Sequence, residues 1–304
     1  MARFLSTLLR AQIALINPLL KRMDIGALRK LQDALGTLGT KSLAGEVTYR
    51  DVEGFPFQAA WAEPSAPVPG EAILYLHGGS YTAGTLAYAK SFGGVLAEKT
   101  GYRVLCLGYR LAPEHPYPAA LEDALAAYEY ILSLYAPEKI TLAGESAGGG
   151  LCYCLCLARK GLGLSQPARI VALSPWTDLT MSSLPDEEAA HDPILIAERL
   201  AHSARMYAGE SLAEPTVSPL FGDPTGLPPS LIIAGTDEIL LPDSTRMAER
   251  LRAHGCVCTL RVEPGMWHVY PLYPIPEAKE ALDGMRAYIV GEGEVNRVVP
   301  EDKP

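Results

Sequence analysis

No apolar run in the 304-residue sequence approaches the roughly 18 to 20 residues that a helix needs to cross a bilayer. A basic surplus is also missing. Lys and Arg number 26 against 35 Asp and Glu, a net charge of −9, so few cations are to spare for phosphates and a nucleic-acid partner is not expected. Cysteine is sparse. Of the six, Cys152, Cys154 and Cys156 alternate within one short segment and Cys256 and Cys258 flank Val257, which is no disulfide framework. Nor do the alternating three suit a metal: residues two apart on a helix point about 200° from one another and cannot converge on one ion. They read as small buried apolar side chains. His191-Asp192 has no third ligand close by and reads as a capping turn before Pro193. Internal repeats and low-complexity stretches are absent. At the N-terminus, Arg10, Gln12, Asn17-Pro18, Lys21 and Arg22 break the apolar run and no small-residue cleavage pattern follows, so a secretory signal is not expected. Arg3, Arg10, Lys21 and Arg22 are explained by a solvated helix face without a membrane. These features predict a cytoplasmic, thiol-reduced protein.

What the chain does contain is ordinary globular composition, 48% apolar and 20% charged, in a length that suits one large α/β domain. Short apolar runs alternate with helical stretches from about residue 44 onward. Eight strands are predicted, at 46–51 and 55–63 (an antiparallel pair), 72–76, 102–107, 139–143, 168–173, 230–234 and 256–262. Amphipathic helices are predicted at 118–135, 240–254 and 276–290. In the first of these Leu121, Leu125, Tyr128, Ile131 and Leu132 recur at helical spacing. Two segments break the alternation. Residues 3–40 carry helical periodicity in Leu5, Leu8, Leu9, Ile13 and Ile16 and again in Leu28, Leu31 and Leu35. Residues 179–217 are too long for a bare loop and are predicted to hold a helix at 193–207. The division expected is an N-terminal cap segment over 1–44, a catalytic core over 45–178 and 218–292, a cap insertion over 179–217 and a frayed tail over 293–304.

Gly144-Glu145-Ser146-Ala147-Gly148 stands between an apolar strand and a helix-prone run. G-x-S-x-G on such a turn holds a strained serine with its hydroxyl exposed above the sheet, the mark of a nucleophile. A serine needs a base and an orienting acid, and on this topology both follow at the ends of later strands in the order serine, acid, histidine. His268 stands just beyond the last strand; His115, His191, His202 and His254 do not. Asp237, just beyond the strand at 230–234, is the acid favoured over its neighbours Glu238 and Asp243. Upstream, His77-Gly78-Gly79-Ser80 follows a strand with a bare backbone. The N–H groups there, with that of Ala147, are candidates for an oxyanion hole: Gly78, Gly79, Ser80 and Ala147. Tyr81, Trp176, Ile194, Leu195, Met206, Tyr207 and Val269 fall near the predicted site and are candidate pocket residues.

His77-Gly78-Gly79-Ser80, Tyr-Arg-Leu-Ala-Pro-Glu-His-Pro-Tyr-Pro-Ala-Ala at 109–120, Gly-Glu-Ser-Ala-Gly-Gly at 144–149, Ser-Pro-Trp-Thr-Asp at 174–178 and Asp-Glu-Ile-Leu at 237–240 closely resemble one known family. It is the hormone-sensitive-lipase-like family of α/β-hydrolases, the bacterial family IV esterases. The resemblance covers about 45–290, with the motifs in the family's order. It implies the α/β-hydrolase fold, Ser146, Asp237 and His268 as triad and a helical cap. It also implies hydrolysis of short-chain carboxylic esters without a cofactor. Family members often pair as homodimers along a sheet edge. Two departures stand out: Ser80 replaces the usual third glycine of the oxyanion motif, and Glu145 replaces the usual Asp before the nucleophile. Glu145 is expected to brace the turn, and the 109–120 segment to support the site from beneath. Lactones and amides remain open as substrates, since leaving-group choice lies in the pocket. A non-catalytic receptor is disfavoured because serine, acid and histidine are all present.

Overall fold

A computed structural model describes residues 2–20, 23–184 and 191–292. The expectations for Lys21, Arg22 and the 293–304 tail, and for the side chain of Arg3, lie outside what is described. The elements in chain order are α1 (Ala2–Leu20), α2 (Ile25–Ser42), β1 (Val47–Val52), β2 (Gln58–Pro64), β3 (Ala72–Leu76), α3 (Leu86–Thr100), β4 (Arg103–Gly108) and α4 (Ala119–Leu132). They continue with β5 (Ile140–Glu145), α5 (Ala147–Gly161), β6 (Arg169–Leu173), α6 (Ala197–Ala208), β7 (Ser230–Gly235), α7 (Leu241–Ala253), β8 (Cys258–Glu263) and α8 (Pro276–Val290).

The eight strands form one sheet in the order β1-β2-β4-β3-β5-β6-β7-β8. Strand β2 runs antiparallel to β1 and β4, and all other pairs are parallel. Alternation along each strand divides the core in two. Leu74 and Leu76 of β3 face a layer with Leu151 of α5 and Leu251 of α7, while Ile73 and Tyr75 face Phe92 of α3 and Met285 of α8. Because both faces are covered, β3 and β5 are buried at every position. Cys152, Cys154 and Cys156 are buried within α5. Among the described residues no helix is long and apolar enough to cross a membrane.

Beyond the alternation lie α1, α2 and α6. Helix α2 lies directly on α3: a Cβ on Gly36 would come 2.4 Å from the carbonyl oxygen of Ala87, so only glycine allows this approach. Arg29 fixes the same helix from its side, donating to the carbonyls of Thr82 (2.7 Å) and Ala112 (2.8 Å) and pairing with Glu114. Helix α1 is held differently. Leu9 and Ile13 pack on the core, but Leu5, Leu8 and Ile16 of the same periodic set remain half-exposed, and its attachments are polar. Helix α6 begins four residues later than its sequence pattern suggests. The N–H groups of Ile194 and Leu195 turn onto the Asp192 carboxylate (2.9 and 3.2 Å), which closes a capping turn and leaves Ile196 extended.

Candidate active site

Strand β5 ends at Glu145 and α5 begins at Ala147, so Ser146 occupies the turn itself, with φ 54° and ψ −122°. Close packing imposes that conformation: a Cβ on Gly148 would stand 2.0 Å from the carbonyl oxygen of Leu76 in the adjacent strand. The backbone is pinned on both sides, Ser146 N–H donating to Leu173 (2.9 Å) and its carbonyl accepting from Trp176 (2.9 Å). The hydroxyl is thereby aimed at His268, 2.9 Å from Nε2.

On the other side of the imidazole, Nδ1 lies 3.1 Å from Oε2 of Glu238. An ionised carboxylate only accepts, so Nδ1 carries the proton and Nε2 keeps a lone pair for the serine hydroxyl. Glu238 is itself fixed: Oε1 accepts from the N–H of Gly235 and from Ser174 Oγ (3.1 Å), and Ser174 Oγ accepts from Val269 N–H (3.0 Å).

The acid beside the histidine is therefore Glu238 and not Asp237. Beyond Gly235 the chain turns so that Thr236 and Asp237 face outward, and Glu238 is the first residue to point back, followed by buried Ile239 and Leu240. Asp237 instead pairs with Arg10 of α1 and accepts from Thr236 Oγ1 (2.8 Å). Partial burial pushes its carboxyl up, but the bonds from Arg10 and Thr236 outweigh this and hold it below the ordinary aspartate value. The buried pair Ile239-Leu240 marks where the chain re-enters the core, but nothing in the spacing fixes which of the two acids before it turns inward.

A second correction concerns Gly78. Its N–H donates to Oε1 of Glu145 at 2.6 Å and is not available to a substrate. The N–H groups of Gly79 and Ser80 have no acceptor among the described residues, and that of Ala147 is the first in α5, where no helical bond uses it. Gly79 and Ser80 line the same cavity as Ser146, and Ala147 directly follows it in the chain. Gly79 has φ 117° and a Cβ there would come 2.2 Å from Ala83 O, while Ser80 and Tyr81 accept positive φ without being glycine.

Beneath this loop the 109–120 segment acts as its support. The His77 ring stacks on Tyr109 with centroids 4.2 Å apart, Tyr109 Oη donates to His77 O (2.7 Å), and Ala112 N–H donates to Tyr81 O (2.9 Å). Burial lowers the His77 pKa to about 4, so it remains a neutral packing group. Burial likewise pushes the Glu145 carboxyl up to about 7, against the bonds it accepts from Tyr75 Oη and Gly78 N–H.

Ser146 and His268 open into a cavity of about 290 Å³. Leu195, Val269 and Ile194 line it, as do Gly79 and Ser80. Tyr81, Trp176 and Tyr207 do not: they are buried below the loop, Tyr81 stacked on Tyr207 at 3.8 Å. Met206 borders a neighbouring cavity. Aromatic residues beside a motif are as readily core as pocket, and nothing in their spacing separates the two. The pocket residues not anticipated include Leu28, Leu31 and Leu35 of α2, with Arg199 of α6 and Tyr273. The three leucines were visible as one helical face, but not what that face covers.

Residues 73–272 match the family model described as alpha/beta hydrolase fold. The chain is 36% identical over 272 residues to an acetyl-hydrolase from Streptomyces hygroscopicus, covering 87% of this chain and 89% of that protein. It is 32% identical over 285 residues to an esterase from Acinetobacter venetianus, covering 92% of each. Among solved structures, a hormone-sensitive lipase from a metagenome library superposes with a TM-score of 0.86 at 30% identity, covering 93% of this chain and 97% of that one. The chain belongs to the α/β-hydrolase family and, within it, to the hormone-sensitive-lipase-like carboxylic ester hydrolases.

Proposed function

We propose that this protein hydrolyses short-chain carboxylic esters through an acyl-enzyme on Ser146, with His268 as base and Glu238 as the acid that orients it. The observation that carries this reading is the unbroken hydrogen-bonded chain from Glu238 through His268 to Ser146 at the floor of the cavity. Ser146 Oγ attacks the ester carbonyl as Nε2 takes its proton. The resulting oxyanion lies against the N–H groups of Gly79, Ser80 and Ala147. Collapse releases the alcohol, which takes the proton from Nε2. Water then attacks the acyl carbonyl, giving its proton to Nε2, and departure of Ser146 Oγ with that proton completes the cycle. The small cavity and its leucine walls favour short acyl chains.

In this reading the described residues within 1–44 and 179–217 form the cap and the rest of the described chain the catalytic core. The six unpaired cysteines support a cytoplasmic location. The half-exposed strand β8 at the end of the sheet favours pairing of two copies there. The test is pre-steady-state hydrolysis of p-nitrophenyl acetate. One equivalent of p-nitrophenol should appear in a burst, with an acetyl group on Ser146 in the intact mass. Ser146→Ala should lose both. A turnover that survives Ser146→Ala would refute the assignment. Lactones and aminoacyl amides run beside the ester show whether the same triad prefers another leaving group.

A further inference from the structure

One guanidinium, that of Arg10 in the middle of α1, reaches three separate segments. It pairs with Asp237 next to Glu238, donates to Gly265 O (3.2 Å) three residues before His268, and donates to His191 O (2.6 Å) in the cap insertion. The next residue of that insertion, Asp192, accepts from Ile239 N–H (3.2 Å) on the far side of Glu238. Its other oxygen holds Ile194 and Leu195, which line the cavity. Glu238 is thus bracketed, its preceding residue tied to α1 and its following residue tied to the insertion.

None of the residues lining the cavity comes from α1, so whatever Arg10 does for turnover cannot pass through contact with a bound ester. Nor is Arg10 needed to keep the loops folded. They hold one another through Asp237 N–H to Met266 O (2.9 Å) and Gly265 N–H to Thr236 Oγ1 (2.8 Å). Its side chain is about a quarter exposed, so solvent screens part of the ion pair. A multidentate contact that joins the acid loop, the histidine loop and the insertion, beyond the bonds by which the loops already hold one another, acts on geometry.

We propose that Arg10 is a positioning residue: docked α1, through its guanidinium, sets the alignment of Glu238 with His268, and the cap thereby governs the rate of the chemical step as well as access. The proposal rests on the triad reading above. Misplacement of a catalytic group by a fraction of an ångström is enough to slow turnover about ten-fold without changing substrate affinity.

The experiment compares Arg10→Gln, Arg10→Lys and Glu238→Gln in the full chain, by kcat and KM on p-nitrophenyl acetate and by the rate at which a small organophosphate labels Ser146. Arg10→Gln should lower kcat and the labelling rate together by about ten-fold with KM within about two-fold of the parent. Arg10→Lys should recover part of the loss, since an ammonium can keep Asp237 but cannot span the other two carbonyls. An unchanged kcat in Arg10→Gln, or a change confined to KM, overturns the proposal. Should thermal melts show Arg10→Gln unfolded, Asp237→Asn removes the same ion pair from the core side and must reproduce the loss in kcat; if it does not, the proposal fails. Glu238→Gln separates the two readings: if it keeps full kcat the triad assignment is wrong, whereas if it is crippled and Arg10→Gln is not, only the positioning role falls.

Discussion

The floor and the roof of the cavity are built by opposite means. Six described residues other than glycine have positive φ, and five of them, Ser80, Tyr81, Ser146, Ser174 and Val269, belong to the turns around Ser146, the Gly78-Gly79-Ser80 loop and His268. Such strain persists only where the surroundings over-determine the backbone, and here hydrogen bonds and buried side chains do so. Helix α2, which roofs the cavity, has no residue of this kind. It presents leucines, of which Leu35 is 56% exposed, and meets the core through its close contact with α3 and the side chain of Arg29. The floor therefore suits chemistry, which demands fixed geometry, and the roof suits selection, which tolerates replacement of one apolar side chain by another.

The largest test of that contrast uses two neighbouring carboxylates. Glu238 belongs to the floor and Asp237 to the outer contact with α1. Glu238→Gln should lower kcat by roughly 10² to 10⁴-fold, the range expected when the partner of a catalytic histidine can no longer stabilise the imidazolium. Asp237→Asn should lower it by about ten-fold. Steady-state hydrolysis of p-nitrophenyl acetate by both variants reads the difference. The reverse order would mean that the outward carboxylate, and not the buried one, serves the histidine.

The same pair of residues shows how far the sequence is readable. The strand positions along the chain, the turn that carries Ser146 and the position of His268 follow from where apolar runs stop, because in a parallel sheet functional residues collect at strand ends. Which of two adjacent residues points inward depends on the phase of an irregular turn, and no periodicity reports that phase. Gly78 raises the same difficulty, since its N–H is unavailable to the proposed oxyanion hole only because the Glu145 side chain folds back onto it. Tyr81, Trp176 and Tyr207 were misjudged for another reason: proximity in sequence to a motif does not fix the side of the loop on which a ring packs.

Glu145 lies just under the floor and tests whether the floor is held at a cost. Burial raises its folded-state pKa from an ordinary 4.5 to about 7. Between those values the folded protein keeps a proton that the unfolded chain has released, so this group makes stability fall as pH rises through the window. Integrated, the effect is on the order of 3 kcal/mol. Glu145→Gln removes that contribution while its amide oxygen can still accept from Gly78 N–H. Thermal melts at pH 5 and pH 8 should show a smaller loss of stability at the higher pH for the variant than for the parent. Asp243, also raised to about 7 by burial, and His77 are common to both proteins and cancel in the comparison. Equal pH dependence in the two would mean that Glu145 is ionised throughout.

The smallest effect belongs to the roof. Leu35 is at the rim of the cavity and more than half exposed, so its truncation removes little buried area from the protein and should leave the melting temperature unchanged. A substrate chain long enough to reach the rim would lose the contact, worth up to about 1 kcal/mol, or a few-fold in kcat/KM. Leu35→Ala should therefore reduce kcat/KM for p-nitrophenyl butyrate about three- to five-fold relative to p-nitrophenyl acetate, whose acyl group stays on the floor. An equal loss for both esters would show Leu35 acting on the geometry around Ser146. The separation between a strained floor that reacts and a soft roof that selects would then fail at α2.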